Sequence, residues 1–146
     1  MTGALVVLWA VLIAQAPDTA AQARYGAAIR RVTDSLTALE GEAAKFQADL
    51  VHASPDLVIA RAARLRQRCN GAGSEAGRLD AVSALATGVR RELAALRAEL
   101  TRCERDFATG PQYQRTDSVK AWAPYRLSRL GGAVRRFRLA ARASKS

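Results

Sequence analysis

LDAVSALATGVRRELAALRAELTRCERDF, residues 79–107, carries the strongest pattern in the chain. Its apolar positions are Leu79, Val82, Ala86, Val89, Leu93, Leu96, Leu100, Cys103 and Phe107, in alternating steps of three and four. That spacing keeps one side of an α-helix apolar for about eight turns. Arg90, Arg91, Glu92, Arg97, Glu99, Arg102, Glu104 and Arg105 stand between them, as on a solvated face. The pattern predicts one long helix here.

A second stretch repeats it. Tyr25, Ile29, Val32, Leu36, Leu39, Ala43, Phe46 and Leu50 follow the same steps. They predict a helix from about Ala20 to His52, with Gly41 a soft spot costing about 1 kcal/mol against Ala. Two heptad-like seams in one chain predict coiled-coil pairing of these two long helices. Pro55 disfavours helix in the residue before it, so the first helix must stop before Ser54-Pro55. His52, the one histidine, falls in that last turn, where a cation suits the helix's negative end.

Between the seams lies a shorter helix. Ser54 reads as its N-cap, Pro55 as its first residue and Asp56 as first-turn charge. Val58, Ala62, Leu65 and Cys69 form its stripe, with Arg61, Arg64, Arg66 and Arg68 around its last turns. Asn70-Gly71 predicts a stop, and Gly71 to Gly77 a flexible connection. Thr109-Gly110-Pro111 ends the organising helix. Thr116-Asp117-Ser118 can cap a last segment, which Pro124 is expected to interrupt after Trp122. A helix from Pro124 to about Ala141 follows, with the stripe Leu127, Leu130, Val134, Phe137 and Ala141, weakened at Gly131-Gly132.

The 146 residues thus predict an all-α fold, a bundle of three to four helices with two long heptad-patterned ones. Residues 1–23 form a signal-peptide-like leader. Residues 24–146 form a single helical domain with a basic C-terminal segment, 115–146. The leader's apolar run, Ala4 to Ala14, is too short for a membrane span of about 20 residues. It has the length of a secretory signal core. Two A-x-A sites follow, Ala14-Gln15-Ala16 and Ala21-Gln22-Ala23. Pro17 hinders the first, and no Lys or Arg precedes the apolar run. The expected location is periplasmic or secreted; an uncleaved anchor or a buried helix is the alternative.

Cys69 and Cys103 are an even pair in a chain expected to be exported, which predicts one disulfide. It would close a loop of about 35 residues, stabilising by about 3–4 kcal/mol in the chain-entropy description. The bond constrains topology. In a plain hairpin turning at the glycine run, Cys69 faces Leu79, and Cys103 lies about 36 Å further along the helix. A disulfide needs Cα atoms within about 7 Å. Either the glycine run crosses back along the bundle or the chain turns near Gly88. The unbroken phase through Ala86 and Val89 favours the crossing run, and an intermolecular bond is a third arrangement.

The net charge is +10, and it is uneven. Residues 115–146 hold nine Lys or Arg and one Asp; residues 1–114 hold fourteen and twelve acids. Arg126, Arg129, Arg135, Arg136, Arg138 and Arg142 ring the polar side of the last helix, with Trp122 and Tyr125 at its start. Such a helix suits an anionic membrane surface or an envelope polymer. Nucleic-acid phosphates are the alternative if the chain stays in the cytoplasm. A partner protein on the helical seams is a further expectation. Ala and Arg both have GC-rich codons, so composition alone can also produce a basic chain. Glu40 and Glu42, Glu92 and Glu99, and Glu104 and Asp106 read as solvated faces. No phosphate loop, nucleophile arrangement or metal-ligand spacing stands out. The sequence therefore predicts a structural or interaction module rather than an enzyme, with no catalytic residues, metal or cofactor. An enzyme with an unrecognised site is the remaining alternative.

Overall fold

The computed structural model describes residues 2–52, 54–108 and 116–144, and the side chains within them except at 2–19, 52, 55 and 116–118. It is an all-α bundle of four helices: α1 (Thr2–His52), α2 (Pro55–Asp80), α3 (Thr87–Asp106) and α4 (Thr116–Ala143). Ion pairs fix the directions. Asp49 meets Arg61 and Glu75 meets Arg31, so α1 and α2 run antiparallel. Asp80 meets Arg97 across α2 and α3. Arg126 meets Asp106 and Arg136 meets Glu92 across α3 and α4. Tyr25 meets Ser144, which returns α4 to the start of the packed part of α1.

Each helix packs on the next, and α4 packs less extensively on α1. The two long seams therefore do not pair directly, contrary to the expectation from their matching heptad-like patterns. They face a shared core from opposite corners, with α2 between them. The seam residues themselves are buried as expected. Ile29, Val32, Leu36, Leu39, Phe46 and Leu50 of α1 meet Val89, Leu93, Leu96, Leu100 and Cys103 of α3 in one core with Leu127, Leu130, Val134, Phe137 and Ala141 of α4. Tyr25 and Ala43 are partly buried against it.

Three helix bounds extend beyond expectation, and a fourth, the start of α3, falls later than expected. First, α1 begins at Thr2 instead of Ala20, because the Ala- and Leu-rich leader also favours helix. His52 still ends it, but that side chain lies outside those described. Second, α2 does not stop at Asn70-Gly71; it continues through the glycine run to Asp80. Three glycines cost about 3 kcal/mol against alanines. The stripe explains their tolerance: Val58, Ala62, Leu65, Cys69, Ala72, Ala76 and Leu79 are each at most 2 % exposed, in unbroken steps of four and three. Third, α4 runs through Pro124. Pro124 is exposed, and Val119, Ala123 and Leu127 continue one buried face on either side of it. That face holds the helix together where the ring removes a backbone bond. The segment Thr109-Gly110-Pro111 lies outside the described residues.

The organising stretch breaks where α2 ends. Residues 81–86 form the turn, and Ala86, expected on the stripe, is exposed. Val82 and Leu85 stay partly buried, so apolar spacing persists through a non-helical segment. Arg90 holds the turn. Its Nη1 donates to the Asp80 carbonyl and its Nη2 to the Val82 carbonyl, both at 3.2 Å. The Asp80 carbonyl belongs to the unsatisfied set that every helix end leaves, and the Val82 carbonyl lies in the turn just beyond it. Arg97 donates to Asp80 Oδ2 at 2.9 Å. The chain turns close to Gly88, and the crossing glycine run is not the route taken. Cys69 and Cys103 then meet with Cα atoms 6.2 Å apart and are joined as a disulfide. Both lie inside the core, at 1 % and 0 % exposure.

Candidate anion-binding surface

The inner stripe of α4 is committed to the core, which fixes where its arginines stand. Arg126 reaches across to α3. Its Nε donates to Asp106 Oδ2 at 2.6 Å and its Nη1 to Glu99 Oε2 at 3.1 Å. Its side chain is only 15 % exposed. Glu99 is not on a solvated face: it is buried at 6 % exposure. It accepts from Arg102 Nη1 at 2.8 Å and Arg129 Nε at 3.4 Å as well. One carboxylate thus faces three guanidiniums. Burial of a charge is tolerable only with such partners.

Arg129 also donates from Nη1 to the Tyr125 hydroxyl at 3.1 Å, and its guanidinium lies 5.9 Å from the centre of that ring. The bond to Tyr125 first, and the charge of Glu99 after it, raise its pKa above the ordinary value. Beneath this cluster the core is closed by aromatics. Phe107 packs edge-on to Phe46 at 5.2 Å and tilted against Trp122 at 5.1 Å.

Two further arginines of α4 are also occupied. Arg136 Nε stands 3.5 Å from Glu92. Arg138 pairs with Glu40 at 2.5 Å and donates to the Thr37 hydroxyl at 3.1 Å. Of the six arginines of α4, only Arg135 and Arg142 are exposed without an ion pair among the described residues. The six arginines of α4 are therefore not one open basic face. Four are drawn onto α1 and α3, and two are left free.

Sequence reasoning missed the acids that do this. Glu99 carried a signal: it stands three residues after Leu96 and four before Cys103, on the buried stripe itself. Glu40, Glu92 and Asp106 gave none, because their partners on α4 are remote in sequence. On α1, Arg30 is also exposed without an ion pair and lines a groove against α4 with Arg138 and Arg142. Among the described residues, no group of three or more His, Cys, Asp or Glu is placed to hold a metal ion. The chain matches no family model, and no curated protein or solved structure proved similar to it.

Proposed function

We propose that this protein is an exported, disulfide-stapled helical module, structural or adaptor in role, that contacts an anionic surface of the cell envelope. The observation that carries this reading is the cation surplus left after the internal pairs are made. Arg64, Arg66, Arg68, Arg135 and Arg142 are all exposed with no carboxylate partner among the described residues. Unpaired cations at this density attract polyanions and anionic lipids. The apolar leader and the buried Cys69–Cys103 pair support an oxidising compartment.

Mass spectrometry of the protein recovered from its native cell tests the location. The expected species lacks residues 1–23 and shows no free thiol under denaturing conditions without reductant. A full-length species with two free thiols overturns export and favours cytoplasmic nucleic acid as the anion. Retention on anionic vesicles or on heparin, released by salt, tests the contact itself. A protein that ignores both at low ionic strength overturns it.

A further inference from the structure

The two unpaired arginines of α4 share one helical stripe with an exposed leucine. Arg135, Leu139 and Arg142 stand in steps of four and three, so they form a single crest along the outer side of α4. Leu139 is 57 % exposed. Every other leucine of α4 is in the core. On one side of the crest lies the groove shared with α1, about 370 Å³ in volume and lined by Arg30, Asp34, Arg138 and Arg142 among others. Arg138 is engaged by Glu40, and Asp34 brings the groove's own negative charge. Arg30 and Arg142 remain free. On the other side lies a groove of about 580 Å³ lined by the charged Arg91, Glu92 and Arg136 as well as by Val89, Leu139 and Ala140.

We propose that this crest, with Arg30 beside it, docks on an anionic phospholipid surface. The arginines meet lipid phosphates and Leu139 enters the boundary with the acyl chains. The inference rests on the anionic-surface reading above and narrows it to one source of anion. Leu139 decides between sources. A soluble polyanion gains nothing from an apolar side chain set between its cation contacts, whereas a lipid surface does. The division of the arginines decides which residues act. Within α4, Arg126, Arg129, Arg136 and Arg138 pair with carboxylates of α1 and α3, and the two without an ion pair stand on the crest beside Leu139.

The test is binding of the full chain to phosphatidylglycerol–phosphatidylcholine vesicles, so that the leader contributes equally to every variant. Arg135→Gln/Arg142→Gln is expected to bind about 25-fold more weakly, since each cation near an anionic leaflet contributes about fivefold. Arg64→Gln/Arg68→Gln removes the same charge from α2, the helix at the far corner of the bundle. It is expected to bind nearly as the wild type, because that side lies beyond a Debye length of about 8 Å from the contact. Leu139→Ala should weaken binding about tenfold. Leu139→Trp should show a blue-shifted emission on vesicles and none on heparin. Equal losses in the two charge-matched double variants overturn the inference and leave general attraction. A wild type that binds heparin but not vesicles also overturns it, while the broader reading stands. A wild type that binds neither overturns both. Far-ultraviolet circular dichroism of each variant separates lost binding from lost folding.

Discussion

The two halves of α4 both carry arginines over a buried apolar stripe and put them to different uses. In the first half, Arg126 and Arg129 converge with Arg102 on the buried Glu99. In the second half, Arg135 and Arg142 face solvent, with Leu139 exposed between them. Both halves bury the same kind of apolar stripe. The difference lies in what the neighbouring helix offers. Next to Arg126, α3 presents Glu99 and Asp106. Among the described residues no carboxylate forms an ion pair with Arg135 or Arg142, although Asp34 lines the groove beside Arg142. A basic amphipathic helix is therefore not a uniform surface: four of its six arginines pair with acids of α1 and α3, Arg136 and Arg138 of the second half among them, and two are available.

The largest expected effect is at the lock. Glu99→Ala leaves three guanidiniums without their common carboxylate. Breaking a buried pair from one side costs about 3 kcal/mol at the lower end of its range, and the lower end applies because Arg102 and Arg129 are 43 % and 51 % exposed. Chemical denaturation measures it, and a loss under 1 kcal/mol would mean Glu99 is solvated. Arg126→Gln should cost less, about 1.5 kcal/mol, since a lost bond to a charged group is partly replaced by the partners Glu99 keeps. A melting curve unchanged from wild type would erase the contrast between the halves. Smallest of all, Arg135→Gln/Arg142→Gln should alter stability by no more than about 0.5 kcal/mol, as surface substitutions do. A larger loss would show that these side chains have internal partners.

Most of the fold was legible, and the reason is periodicity. The stripes of α1 and α4 are buried or partly buried at every position that was read. Local chemistry misled where it competed with that signal. Gly71, Gly73 and Gly77 read as a linker, yet Ala72, Ala76 and Leu79 extend the stripe of α2 through them. A Cβ at Gly71 or Gly73 would meet nothing within 4 Å, so no close approach requires glycine there. The reverse error occurred at residues 81–86. Val82 and Leu85 keep partial burial in the turn, and spacing alone cannot tell a buried turn from a helix. What marks the turn is Asp80 with Arg90 and Arg97, a set assembled only in three dimensions. The candidate surface was half legible. Composition pointed to α4, but only the positions of Glu40, Glu92, Glu99 and Asp106 show which arginines are engaged.

The most direct measurement is of the guanidinium groups themselves. Arginine Nε–H resonances report each side chain separately, and short-chain phosphatidylglycerol can be titrated against them. The Nε–H of Arg126, bonded to Asp106 at 2.6 Å, should exchange slowly with water and hold its shift throughout. Those of Arg135, Arg142 and Arg30 should exchange fast and move with added lipid. Uniform exchange and uniform shifts across all the arginines of α4 would contradict the division of the helix into a lock and a free crest.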